Sequence, residues 1–293
     1  MSIGETGERL RRSTVQVRSG PGASGSGVLW DASGTIVTNA HVVRSGDLTI
    51  ELWDGRIAKA RLGGRDVRRD LAILHVEKRI GIGLLEPARA GDSDRIRVGE
   101  LVIAVGNPFG FTGALSTGVV HGICPVRGIG GQAFIQTTAR LAPGNSGGPL
   151  ANAAGDVIGI NTMLVSSGVL SSGIASGGLG LAVPANAVRR LLTAGSPVEL
   201  GVTVRPVRIP GPDRGIAWVV LGVAPGSPAD YASLRVGDAL IGSGGKRFST
   251  SDDLYEALDS DRLLTLQFLR GGDPKRREVT VRLDRGLNLG AAA

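Results

Sequence analysis

Gly144-Asn145-Ser146-Gly147-Gly148-Pro149 decides how this chain of 293 residues is read. A serine among glycines at this spacing fits the nucleophile elbow of α/β-hydrolases, which needs a strand before it, a helix after it and a histidine further downstream. The chain's three histidines, His41, His75 and His121, all precede Ser146, and Pro149 leads into another strand pattern instead of a helix. The segment is therefore read as a turn between strands. Small neighbours let the backbone reverse sharply, expose the hydroxyl and aim amide N–H groups at one point. Gly144, Asn145 and Ser146 form the expected oxyanion hole, with the N–H groups of Gly144 and Ser146 as its donors. An ordinary glycine-serine turn has the same composition, so the chemistry depends on partners elsewhere.

A serine hydroxyl needs a base to take its proton and a group to orient that base. His41 closes Thr38-Asn39-Ala40-His41 directly after a strand pattern, which puts it at the rim of a sheet. Imidazole can move protons near neutral pH. His75 lies inside the apolar run Leu71-Ala72-Ile73-Leu74-His75 and His121 at the end of another, both structural contexts. Asp70 immediately precedes Leu71–Leu74, so its carboxylate sits at the edge of a buried strand, where it can hold an imidazole tautomer. Asp54, Asp66, Asp92 and Asp94 fall in glycine- or arginine-rich stretches that read as solvated loops. His41, Asp70 and Ser146 are the expected catalytic residues, in the chain order of chymotrypsin-like enzymes.

Outward from this set, short β-prone runs recur between turn clusters: 15–17, 27–30, 35–38, 48–52, 71–76, 101–105, 118–121, 133–136 and 157–162. Strands this short and this frequent point to barrels or sandwiches. The 47 glycines fit many tight turns, and 3% aromatic content leaves cores of Val, Ile, Leu and Ala. Pro184 opens a short helix carrying Val188, Leu191 and Leu192, and Gly195-Ser196-Pro197 ends it. The expected domains are 1–195 and 199–293. The second has strand patterns at 201–207, 216–223, 239–241, 263–269 and 278–283. It also has one helix, capped by Thr250-x-x-Asp253 and buried through Leu254 and Leu258. The fold expected is mainly β, a sandwich or barrel followed by a small α+β domain.

The net charge of +7 raises a nucleic-acid reading, centred on Arg61, Arg65, Arg68 and Arg69. No aromatics interleave that cluster for base stacking, so it reads as a solvated loop and no nucleic-acid partner is expected. Cys124 stands alone, which excludes an internal disulfide or a multi-cysteine metal site, and reads as a small core residue. No apolar run approaches the ~20 residues of a membrane-spanning helix, and residues 1–20 lack the apolar segment of a secretion signal. The compartment stays unknown.

Four ordered motifs resemble those of HtrA (Deg) proteases: Thr38-Asn39-Ala40-His41-Val42-Val43, Asp70-Leu71-Ala72-Ile73-Leu74, Gly106-Asn107-Pro108-Phe109-Gly110 and Gly144-Asn145-Ser146-Gly147-Gly148-Pro149-Leu150. The similarity extends through 178–184, like a last protease strand, and through 199–283, like a PDZ domain. It implies a chymotrypsin-like double barrel with no metal or organic cofactor, acting without ATP as a serine endopeptidase on unfolded or damaged proteins. A homotrimer and an envelope location are further expectations of the resemblance, and a silent, peptide-binding holdase is the alternative function. Ile160, Asn161 and Thr162, with the Ser- and Gly-rich stretch to Gly178, are implied to bind substrate. Leu200, Gly201 and Val202 are implied to receive a peptide terminus. Thr138, Arg140 and Glu199 depart from the family pattern, and the charge of Glu199 opposes a terminal carboxylate.

Overall fold

The structure, a computed structural model, describes residues 2–20, 24–44, 47–77, 86–125, 133–162, 179–194, 199–209, 215–249, 253–260, 263–271 and 273–283. The chain divides into two compact units, one made of Met1–Val126 and Gln132–Gly195, the other containing Ser196–Ala293. Two closed six-stranded barrels fill the first unit. β1 (Thr14–Ser19), β2 (Ser24–Leu29), β3 (Thr35–Thr38), β4 (Leu48–Glu51), β5 (Ile57–Asp66) and β6 (Leu71–Val76) build the first. Its order is β1-β2-β3-β6-β5-β4, and β4 pairs back to β1.

The second barrel comprises β7 (Leu101–Gly106), β8 (Ala114–Pro125), β9 (Ala133–Thr137), β10 (Pro149–Asn152), β11 (Val157–Thr162) and β12 (Gly180–Pro184). Read from β7 its order is β7-β8-β9-β12-β11-β10, closed by β10 on β7, so both barrels have one topology. Inward and outward residues alternate as the strand period requires: Val15 and Val17 are buried, Arg18 is exposed. Val15, Val17, Leu29, Ile36, Ile50 and Leu74 pack inside the first barrel. Val102, Val120, Ile135, Leu150 and Ile158 do so inside the second. These aliphatic interiors are what the low aromatic content anticipates.

Several local expectations fail. Residues before the first strand fold as α1 (Ile3–Ser13), an 11-residue helix that was not anticipated. Its signal was present as Ser2-x-x-Glu5: the Ser2 hydroxyl accepts from the Glu5 N–H at 3.2 Å, and the Ser2 N–H donates to Glu5 Oε2 at 2.7 Å. An isolated helix this short is marginal, and packing supplies the rest. Leu10 is buried, and the Arg11 and Arg12 guanidiniums stand 5.0 and 5.2 Å over the Trp53 ring. Hydrogen bonds from the same two arginines hold the Glu8 carboxyl down to about 2.

The supposed arginine loop is largely the strand β5, and Asp66 at its end is buried, ion-paired to Arg69 at 2.8 Å. Lys59, Arg61 and Arg65 obscured a strand whose outer face is solvated. Cys124 is half-buried on β8 and lies outside the core. α2 (Ala185–Ala194) follows Pro184 as expected.

In the second unit, β13 (Val202–Ile209), β14 (Gly215–Val223), β15 (Ala239–Ser243), β17 (Leu263–Arg270) and β18 (Asp273–Arg282) form one sheet in the order β13-β14-β15-β17-β18, with β16 (Lys246–Arg247) on β15. α3 (Pro228–Tyr231) and α4 (Asp253–Ser260) complete this α+β, PDZ-like unit. Leu200, Trp218, Val220, Leu254, Leu266 and Phe268 make its core. Thr250, the expected helix cap, and the stretch 163–178 lie outside the described residues. Asp253 accepts from the N–H of Ser249 at 2.6 Å.

Candidate active site

β3 ends at Thr38, and the chain turns through Asn39 and Ala40 to present His41. Three bonds hold that turn: Asn39 Nδ2 donates to the Asp70 carbonyl at 2.9 Å, an Arg65 N–H to the Ala40 carbonyl at 3.0 Å, and the His41 N–H to Asp70 Oδ1 at 3.0 Å. The imidazole meets the same carboxylate, with Nδ1 2.8 Å from Oδ2 and 3.0 Å from Oδ1. A carboxylate only accepts, so Nδ1 carries a proton, and in the neutral ring the lone pair is on Nε2. The His41 side chain is 41% exposed and that of Asp70 only 4%, a base open to substrate beside an orienter shielded from water.

Asp70 adopts φ +53°, a left-handed conformation uncommon for a residue with a side chain. Such strain persists where the surroundings over-determine it. Here Asp66 does so: its Oδ1 accepts from the N–H groups of Arg68 and Arg69, both at 3.1 Å, shaping the turn that delivers Asp70. Sequence reading set Asp66 aside as solvated; its place two residues before paired N–H groups is the turn signal that could have found it.

The second barrel reaches the same carboxylate. Thr162 Oγ1 donates to Asp70 Oδ2 at 2.7 Å from the end of β11. Thr162 was expected among substrate-binding residues, yet its hydroxyl is spent on Asp70 and its side chain is buried. Ile160 and Asn161 are buried too, and Asn161 Nδ2 donates to the carbonyls of Pro149 at 2.9 Å and Val105 at 3.3 Å. The Asn161 side chain thereby ties β11 to β7 and β10.

Ser146 sits between β9 and β10 in a turn laced by its own backbone. The Asn145 N–H donates to the Ala142 carbonyl at 2.9 Å, and the Gly147 N–H to the Asn161 carbonyl at 2.8 Å. The N–H of Asn145, a member of the expected oxyanion set, is thus engaged inside the turn. Gly144 has φ +101°, which only glycine adopts without penalty. The turn docks on β2 of the other barrel, where the Ser26 N–H donates to the Ser146 carbonyl at 2.8 Å. Gly25 is what permits the approach. A Cβ there would lie 2.7 Å from Val42, the neighbour of His41, and 3.0 Å from the Ser146 carbonyl oxygen. His41, Asp70 and the Ser146 turn thus meet at one seam between the barrels.

In the second unit, Leu200 is a core residue, and its carbonyl accepts from the Ala229 N–H at 2.9 Å. Gly201 has φ +77° and its carbonyl accepts from the Ala224 N–H at 2.8 Å; Val202 begins β13, an edge strand whose one partner among the described residues is β14.

Paired barrels of one topology, with a histidine–aspartate pair and a glycine-framed serine turn at their seam, are the architecture of a trypsin-like serine peptidase. Residues 25–160 match the family model of the trypsin-like peptidase domain. The chain is 35% identical to "Protease Do-like 1, chloroplastic" of Arabidopsis thaliana, over 92% of this chain and 65% of that protein. Identity is also 35% to HhoA of Synechocystis sp., over 88% of this chain and 69% of HhoA. Among solved structures, the HtrA-type protease AlgW with a decapeptide superposes with a TM-score of 0.60 at 27% identity, covering 96% of this chain and 98% of that one. The chain belongs to the HtrA/Deg family of serine proteases. It spans roughly three fifths of several curated relatives, such as 58% of the serine protease Do-like HtrB of Bacillus subtilis.

Proposed function

We propose that this protein is a serine endopeptidase that cleaves unfolded or damaged polypeptides without ATP, with His41, Asp70 and Ser146 as its triad. His41 Nε2 takes the Ser146 hydroxyl proton as Oγ attacks the scissile carbonyl, and later gives that proton to the leaving amine. Asp70 keeps the imidazole in the required tautomer and stabilises imidazolium. The N–H groups of Gly144 and Ser146 receive the negative oxygen of the tetrahedral intermediate. Water then repeats the sequence on the acyl-enzyme and frees Ser146.

The observation that carries this reading is the hydrogen-bonded run from Thr162 Oγ1 through the Asp70 carboxylate to His41 Nδ1, which spans both barrels where the Ser146 turn docks. Exposed β13 supports a companion role for the second unit, an extended peptide adding to the sheet edge. The test is digestion of unfolded casein without nucleotide by wild type and Ser146→Ala, beside labelling with a fluorophosphonate probe. Cleavage and labelling by wild type alone are expected. Equal inertness of both proteins, with no label on Ser146, overturns the reading; suppression of client aggregation by both would then favour the holdase.

A further inference from the structure

Ser26 is fully buried on β2, in the barrel that does not carry the nucleophile, yet every polar group it has is directed at the catalytic seam. Its N–H donates to the Ser146 carbonyl at 2.8 Å. Its hydroxyl donates to the Gly144 carbonyl at 2.6 Å and accepts from the Asn107 N–H at 2.8 Å. Its own carbonyl accepts from Thr38 Oγ1 at 2.6 Å. The two carbonyls it holds belong to Gly144 and Ser146, the residues whose N–H groups face the oxyanion.

We propose that the Ser26 hydroxyl is a positioning group for the oxyanion hole, clamping the Gly144 carbonyl so that the Gly144 and Ser146 N–H groups stay aimed at the reacting carbonyl. The proposal rests on the protease reading above. Gly144 is the mobile point of the turn, because glycine exchanges positive for negative φ at little cost. With the Ser26 hydroxyl in place, rotation about Gly144 breaks a short hydrogen bond in a partly buried site, and a half-buried carbonyl left without its donor is costly. The hydroxyl can donate only once. Accepting from the Asn107 N–H fixes the direction of its one proton toward Gly144, so Asn107 orients the clamp.

Asn107 also links the clamp to the loop that follows β7. Its Oδ1 accepts from the Gly113 N–H at 2.8 Å, closing the loop on itself. Its carbonyl oxygen lies 2.6 Å from where a Cβ on Gly144 would stand, so the loop backs directly on the oxyanion residue. This gives the Gly106-Asn107-Pro108-Phe109-Gly110 motif a function that the triad does not assign to it. The loop holds the clamp, and the clamp holds the hole.

The experiment compares wild type with Ser26→Ala on a short chromogenic peptide. Loss of a direct oxyanion donor costs about 10²–10³-fold in kcat; a group acting through the backbone is expected to cost about 10- to 100-fold. The loss should fall on kcat with KM within about 3-fold. Affinity for a peptide aldehyde, whose adduct carries the oxyanion, should fall by the same factor as kcat. A purely structural role predicts a lower Tm with kcat intact, or a loss confined to KM, and either result overturns the proposal.

Ser26→Cys keeps a weak donor of similar shape and should recover part of the rate; wild-type kcat in that variant when Ser26→Ala does not fold would overturn the proposal too. Hydrogen exchange decides the point without turnover. The Gly144–Gly148 amides should exchange faster in the variant, and unchanged protection refutes the clamp. An inert wild type would sink the protease reading and leave the exchange result to judge the clamp alone.

Discussion

In the first barrel the connection between the third and fourth strands carries His41; in the second, the corresponding connection carries Ser146. The match repeats one step further on. Asp70 lies between the fifth and sixth strands of the first barrel, and Thr162 closes the fifth strand of the second, and these two residues hydrogen-bond to each other at 2.7 Å. Convergence of distant residues therefore follows from using one topology twice, with matching positions of each barrel brought to a shared seam. The barrels differ in what they present there. The first presents the ionisable side chains of His41 and Asp70, held by side-chain contacts, and the second presents Ser146 in a glycine-framed turn held by its backbone.

The largest test of this division removes the one reactive side chain of the second barrel. Ser146→Ala should lower kcat by about 10⁶-fold while the fold stays intact by circular dichroism; casein hydrolysis at an undiminished rate would break the comparison outright. Next comes the first barrel's orienter. Asp70→Asn replaces an acceptor by an amide that no longer enforces the Nδ1–H tautomer, and about 10⁴-fold should be lost from kcat on a peptide substrate. Thr162→Val tests the mirror position. It removes one donor to a charged acceptor, worth about 10-fold in kcat/KM, which Thr162→Ser should restore. A loss as large as that of Asp70→Asn would mean the two matching connections are equal partners.

The smallest expected effect on activity lies in the second unit, which serves as the control. Burial works to raise the Asp238 carboxyl, but hydrogen bonds from Arg270, at 2.7 Å, and from the Arg235 N–H outweigh it and hold the group below its ordinary value. A depressed folded value stabilises above the unfolded value of ~3.9 and stops doing so as pH falls through the folded one. Asp238→Asn should therefore lower Tm by about 5 °C at neutral pH, with the gap closing below about pH 4. Scanning calorimetry on the full chain reads both, and cleavage of a short peptide should change less than about 2-fold. A Tm gap that persists unchanged in acid would show that the ion pair contributes nothing through its charge.

Much of this was legible along the chain. Alternating apolar residues announced nearly every strand, because a barrel wall has one buried face and a strand alternates its side chains. His41, Asp70 and Ser146 could be singled out since each follows or precedes a strand run, and the upstream position of all three histidines excluded the competing fold. Where local signal and tertiary use diverged, the reading failed. β5 looked like a loop because basic residues stand on its outer face, Asp66 looked solvated because its partners Arg68 and Arg69 follow it in the next turn, and Ser2-x-x-Glu5 passed unnoticed ahead of the first strand.

What the sequence determined by itself is therefore residue type and order: which segments become strands, and which side chains can act as nucleophile, base and orienter. Only the tertiary structure decided how they are held. Thr162 bonds the Asp70 carboxylate, the Asn145 N–H turns to the Ala142 carbonyl, and Ser26 is a link between the barrels. The physical reason is that a hydrogen-bonding group has many possible partners along a flexible chain, and only packing at the seam, where water is excluded and a few donors face a few acceptors, selects one of them.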